Sequence, residues 1–336
     1  MSPKFELPDD PLVRFFQIAE AVADKKRWFQ GWTMLRFAAM NLQTVPGDPR
    51  ELVERLYSTA EELSEEMRWF SSLRGDVRYC IAATAIKAGF NGHELVQILE
   101  QTRQLYRDAK LKRGELHEAL ATLVLAQASA SGRPTKEQVD RMVTIWSGMR
   151  ENHRFLTNSD DYPASALLSQ RDEALEPMLQ RLTNLYQNLR ELKFSRGNQL
   201  QLATHLLYFA EGDDMELAKR FRALYKAFAD EGLFMGAGDY DEIAILSILD
   251  HDPAVVVKQV LQDRETMRER LSPRPSKQEG FTFASSTAFL TLAVRNRELS
   301  LLTDAIHLNQ VVSLIQTQQA AAIAAASAAS AAAAAG

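Results

Sequence analysis

His153, Asp160 and Asp161, joined at a distance by His205, are the residues whose types come nearest to a recognisable chemistry. Mixed nitrogen and oxygen donors of this kind can ligate a divalent metal. No HExxH pattern and no paired Cys/His spacing accompanies them, so the expectation is neither a metal nor any other cofactor. His153 falls at the end of a long amphipathic segment, where an imidazole can bond terminal carbonyls, and Asp160 is placed to cap the segment that follows. The carboxylates Asp160, Asp161, Asp239 and Asp241 would supply an acid and a base only if the chain closed around a cavity, where burial and repulsion separate paired pKa values. Gly236 and Gly238 do not make a phosphate loop, since no strand precedes them and no GKS/T follows. The single cysteine, Cys80, lies in an apolar run and reads as a small buried side chain, not a nucleophile.

A broader constellation recurs along the chain. It comprises Arg74, Asp76 and Arg78; Arg113, Glu115 and His117; Asp160 and Asp161; Arg196, Asn198, Gln201 and His205; and Asp239 with Asp241. Each has a plain use as a helix cap or an ion pair between neighbouring segments. The Arg, Asn and Gln content exceeds what capping needs, and Arg74 and Arg196 are suited to clasp a carboxylate or phosphate at two points. The candidate binding set is therefore Arg74, Asp76, Arg78, His153, Asp160, Asp161, Tyr162, Arg196, Asn198, Gln201, His205 and Asp239. No residue is assigned as catalytic.

These polar groups sit at fixed places in a repeat. Tyr106, Trp146, Tyr186 and Tyr225 return at intervals of 40, 40 and 39 residues, each in a similar phrase. A period of this length marks stacked helical hairpins, because a two-helix unit cannot bury its apolar face alone. In the longer segments apolar residues recur three and four apart, as in Val139, Met142, Val143, Trp146 and Met149, which predicts outer helices with one face inward. The alternating shorter segments are almost continuously apolar and carry Ala82, Ala121, Ala166, Ala203, Ala244 and Ala288, which predicts buried inner helices in close contact. Glycine followed by Asp, Glu or Asn, as at Gly75-Asp76, Gly114-Glu115 and Gly197-Asn198, is expected to end each outer helix and cap the next inner one. The four repeated aromatics are expected at matching, largely buried positions between the layers.

The predicted fold is all-α, a right-handed solenoid of about seven hairpins of the TPR, HEAT or armadillo kind. The hairpins are expected near residues 11–41, 51–88, 92–128, 135–169, 171–210, 214–250 and 253–294, followed by a terminal helix over 297–319, in one domain spanning 1–319. Residues 271–280, with Pro273 and Pro275, read as a long loop, and 320–336 as an alanine-rich tail that adds little packing. A formal charge of -5 without a basic stripe argues against nucleic acid, and no segment has the apolar bulk of a membrane span. The acidic start, MSPKFELPDD, lacks a signal-peptide core, so a cytoplasmic location is expected.

The phrase Asn152-His-Arg-Phe-Leu-Thr-Asn-Ser-Asp-Asp-Tyr162-Pro163, followed by Ala-Ser-Ala-Leu-Leu, resembles the central motif of a bacterial family, domain of unknown function 4003 (DUF4003). The segments Leu73-Arg-Gly-Asp-Val-Arg and Phe194-Ser-Arg-Gly-Asn-Gln-Leu-Gln, with His205 after them, are similar to the same family. The resemblance runs from about Leu73 to Leu249 and implies a bacterial cytoplasmic protein without an activity to carry over. The functional expectation is thus a non-enzymatic interaction protein that holds a peptide, protein or small ligand on its inner-helix surface. The alternative is an α/α-toroid hydrolase or lyase with the junction Asp residues at its centre. Ring closure separates the two, and the oligomeric state is left open.

Overall fold

Aspartate followed by proline opens three of the outer helices: Asp10-Pro11, Asp48-Pro49 and Asp252-Pro253. In each, the Asp carboxylate accepts N–H groups of the first turn while proline, which has no N–H to leave unpaired, takes the first helical position. The computed structural model describes residues 10–67, 75–152 and 156–293, and among these are fourteen α-helices and no strand. They run as consecutive pairs: α1 (Pro11–Lys25) and α2 (Trp32–Leu42), α3 (Pro49–Glu66) and α4 (Val77–Lys87), α5 (Gly92–Asp108) and α6 (Leu116–Ala128), α7 (Lys136–Asn152) and α8 (Tyr162–Leu168). The remaining pairs are α9 (Leu175–Glu191) and α10 (Asn198–Leu207), α11 (Asp214–Asp230) and α12 (Tyr240–Ser247), α13 (Pro253–Arg270) and α14 (Lys277–Leu292). Arg74, His153, the expected terminal helix over 297–319 and the tail 320–336 lie outside the described residues.

Odd-numbered helices pack on one another in succession from α1 to α13, and even-numbered helices form a second layer. The second layer is buried all round: Tyr79 to Ile86 in α4, Leu116 to Ala126 in α6 and Tyr240 to Ser247 in α12 are buried without interruption. Ala38, Ala82, Ala121, Ala166, Ala203, Ala244 and Ala288, one on each even helix, expose none of their surface. Such small side chains let neighbouring backbones approach, which a larger core residue would prevent. Cys80 lies among them with its thiol pushed up to about 12 by burial.

The outer helices end differently from the expectation. Lys110, Lys193 and Gly232 adopt left-handed φ values of 59°, 72° and 78°, and the next residue, Leu111, Phe194 or Leu233, returns its N–H to the carbonyl of Tyr106, Leu189 or Phe228. Two lysines thus take the place of the glycine stop, at a cost of about 1–2 kcal/mol each that the recovered carbonyl bonds and the following apolar contact offset. Gly114 and Gly197 instead stand at the entry to the inner helices. The loop expected over 271–280 is also shorter than read, because Ser276 and Glu279 form a reciprocal cap that starts α14 at Lys277.

The repeat is carried by more than aromatics. Arg141, Arg181 and Arg220 reach from α7, α9 and α11 to carbonyls beyond the C-terminal end of the paired inner helix: Ser169, Arg171 and Glu173; Ala210; and Leu249. Five residues later Trp146, Tyr186 and Tyr225 face the opposite end, where Trp146 Nε1 donates to the Asn158 carbonyl (2.8 Å) and Tyr225 to that of Met235 (2.7 Å). These three are half-buried, whereas Tyr106 is 3% exposed. Tyr106 is also out of register: Tyr186, Tyr225 and Arg103 are each the twelfth residue of their helices, and Tyr106 lies three further on.

The last pair meets the first. Phe283 of α14 packs its ring on Phe15 of α1 and Phe37 of α2, with centroids 5.8 and 4.9 Å apart. Thr33 donates to Glu279, Arg36 to the Pro273 carbonyl, and Arg270 stands over the Phe16 ring at 3.9 Å.

Candidate functional site

Each step from an outer to an inner helix touches the step beside it. Asp76, expected to cap α4, makes no side-chain cap there; its Oδ2 accepts the Gly31 N–H at 2.6 Å and so ties the second hairpin to the first. Gln30 bridges the hydroxyls of Tyr79 and Tyr57, and the Arg78 guanidinium lies over the Tyr79 ring. Tyr162 is buried and donates to the Lys112 carbonyl at 3.0 Å. Its ring presses so closely on Gly114 that a Cβ there would stand 2.8 Å from it. Asp239 bonds the Gly236 N–H in its own turn, and the neighbouring Tyr240 hydroxyl accepts the Ser195 N–H from the hairpin before.

The most concentrated polar cluster joins the third, fourth and fifth hairpins. Asn158 accepts the Asp160 N–H (2.7 Å), and Asp161 returns a bond to the Asn158 N–H (2.9 Å), so Asp161 supplies the reciprocal arm of the cap. Asp160 turns to His117, whose Nδ1 is 3.3 Å from its carboxylate. On the other side His205 Nδ1 is 3.9 Å from Asp161, an ion-pair separation beyond hydrogen-bond reach. Gln201 donates to Thr157 at 3.0 Å, while Asn198 is exposed at the mouth and Arg196 is exposed in the loop before α10. Burial raises the Asp161 carboxyl to about 7, with Asp160 adding to the rise and the Asn158 N–H opposing it. Burial lowers His117 against the pull of Asp160, and its enclosed Nε2 has no hydrogen-bond partner among the described residues.

Space decides what this cluster can do. The crevice between Asp160, Asp161, Asn198 and His205 has a volume of about 10 Å³. That is room for about one water, not for a substrate. The two His–Asp pairs link neighbouring hairpins, with Asn198 at the exposed edge of the crevice.

The profile of a family described as a protein of unknown function, DUF4003, matches residues 21–320. The chain belongs to the DUF4003 family. The match extends beyond the stretch that carries the motif resemblance, toward both ends. This DUF4003 chain is also similar to the uncharacterized protein YeaA of Bacillus subtilis (strain 168), with 25% identity over 273 residues, 80% of each chain. No solved structure matches it.

Several members of the candidate set converge and others do not. Asp160, Asp161, Asn198, Gln201 and His205 share one cluster, with His117 as a further member; Asp76 and Arg78 serve the first two hairpins, and Asp239 its own turn. Among the described residues no group of three or more His, Cys, Asp or Glu is placed to hold a metal. Asp241, one of the four junction carboxylates, and Glu242, which the sequence did not single out, are 3% and 2% exposed. Glu242 is held well above the usual carboxylate range by burial and by Asp241, and it accepts the Thr282 hydroxyl at 2.5 Å from the next hairpin. No helix among the described residues is long and apolar enough to cross a membrane.

Proposed function

We propose that this DUF4003 protein is a non-enzymatic interaction protein of the cytoplasm. Its seven hairpins act as a closed α/α ring, and a protein or peptide partner docks on the rim formed by the outer-to-inner junctions. The observation that carries this reading is the exposure of large aromatics on those junctions: Trp28 is 92% and Phe29 56% exposed in the first, and Phe234 is 90% exposed in the sixth. Aromatic groups presented in this way are disfavoured in water and are the residues most often central to protein interfaces. Trp28 and Phe29 stand edge to face at 5.8 Å beside Lys26 and Arg27, giving an apolar tip in a charged setting.

The flanks of the inner helices, where a partner was expected, are already covered by their neighbours. A hydrolase or lyase reading shares the ring architecture, but the crevice at Asp160 and Asp161 has no room for a substrate. Replacing Trp28 and Phe234 together by Ser should abolish capture of the partner from extracts of the native host and leave the unfolding midpoint unchanged. Capture at wild-type level by the folded double variant would sink the proposal.

A further inference from the structure

The charged side chains divide between the two sets of loops. In the outer-to-inner junctions the carboxylates turn onto partners: Asp76 accepts the Gly31 N–H, Glu115 stands 3.8 Å from Arg113, Asp160 faces His117, and Asp161 and Asp239 close their own turns. All five are half-buried, and Glu231 is the one exposed carboxylate among the described residues of these loops. The cations stay in solvent. Lys110, Lys112, Lys193, Arg196 and Arg274 are exposed and make no ion pair among the described residues. The stretches 68–74 and 153–155, which complete two of these junctions in sequence, contain no Asp or Glu to offset them.

The inner-to-outer loops have the opposite sign, with Asp48, Asp172, Glu211, Asp213, Asp250 and Asp252 exposed against Arg133 and Arg171. Helix polarity accounts for part of this, since aspartates cap the outer helices and Lys110 and Lys193 follow the last turns of α5 and α9. It does not account for Lys112, Arg196 and Arg274, which lie four or five residues past the helix ends at Asp108, Glu191 and Arg270, where the dipole has faded. The last turns themselves are mixed, as in Arg107 with Asp108, Arg150 with Glu151 and Arg190 with Glu191; α3, ending in Glu65 and Glu66, is the acidic exception. The fifth, sixth, seventh and first hairpins adjoin in that order: Tyr240 accepts the Ser195 N–H, Glu242 the Thr282 hydroxyl, and the Pro273 carbonyl the Arg36 guanidinium. Along the arc of junctions they form, exposed groups alternate: Lys193 and Arg196, then Phe234, then Arg274, then Trp28 and Phe29.

We propose that this arc takes an acidic peptide segment of the partner, its carboxylates on Lys193, Arg196 and Arg274 and its apolar side chains on Phe234, Trp28 and Phe29. This partner chemistry rests on the docking rim proposed above. Carboxylates at the helix ends interrupt the cations, so a lipid surface or phosphate backbone of unbroken negative charge meets repulsion that spaced Asp and Glu side chains avoid. The test is fluorescence anisotropy of the full chain with labelled peptides of equal length, with Phe at the same spaced positions and Glu, Lys or Ser between them. The Glu peptide should bind saturably and at least about tenfold tighter than the Ser or Lys peptide, an advantage that shrinks with added salt. Arg196→Glu with Arg274→Glu should remove that preference at an unchanged unfolding midpoint. Arg133→Glu with Lys258→Glu, equal in net charge but away from these junctions, should keep it. Equal affinity for the peptides, the same loss in both double variants, or an undiminished preference in folded Arg196→Glu with Arg274→Glu would overturn the proposal, as would binding to phosphatidylglycerol vesicles without discrimination among the peptides. Capture from host extracts that depends on Trp28 and Phe234 but survives the Arg196→Glu and Arg274→Glu reversals would remove the acidic partner and leave the docking rim standing.

Discussion

Asp161 and His117 sit in one cluster and respond to pH in opposite directions. Asp161 titrates near 7 in the folded chain against about 3.9 when unfolded, so folding takes up a proton between these values. Its contribution is therefore most favourable below about pH 4 and is lost as pH rises through 7. His117, lowered by burial, instead favours folding above its unfolded value of about 6.5 and opposes it as pH falls below that point. The two are separable by Asp161→Asn, which keeps an acceptor for the Asn158 N–H and removes the ionisation. Between pH 5 and pH 8 the urea midpoint of the wild type should fall relative to that of the variant. Parallel profiles would mean that Asp161 ionises without regard to its burial.

At the scale of the helix, the side chains that anchor the repeat are those that bridge from one end of a hairpin to the other. Arg181 donates to the Ala210 carbonyl (2.7 Å) and pairs with Asp214 (3.0 Å), satisfying groups beyond the end of α10. Arg181→Met should therefore cost about 1–3 kcal/mol in chemical denaturation, because the carbonyl is left without its donor. Lys226→Met removes only an exposed pair with Asp230 and should change stability by less than about 0.5 kcal/mol. Equal effects of the two substitutions would assign Arg181 to the surface. The inner helices could be read from composition, since continuous apolar runs with a central alanine have few places to go but inside. Arg141, Arg181 and Arg220 were equally periodic in the sequence but hidden, because surface arginines are common on outer helices and only their reach to the far loop distinguishes them. The register of Tyr106 was misread for a related reason: an aromatic one helical turn away preserves a period of about 40 and the same helix face. His117, Asp160, Asp161 and His205 stand at repeated junctions in the sequence, but neither their pairing nor their burial was legible there, since a repeat fixes which junctions are adjacent and not which side chains meet or how far the layers close over them.

At the scale of the whole molecule, the contacts between the first and last hairpins decide between a ring and an open superhelix. Phe283 between Phe15 and Phe37 supplies apolar contact, and Thr33 with Glu279 supplies a polar contact between residues 246 apart in sequence. Hairpins this close are suited to a covalent staple, and the one native thiol, Cys80, is buried and raised to about 12, so it will react slowly. Thr33→Cys combined with Glu279→Cys should be joined within one molecule by a short bismaleimide, whose arm makes up the reach lost with the Glu279 side chain. The linked protein should migrate faster on a non-reducing denaturing gel. If the two thiols form only intermolecular dimers, or remain free while the protein stays folded, the hairpins do not close, and the partner surface must be sought along an open groove instead of on a rim.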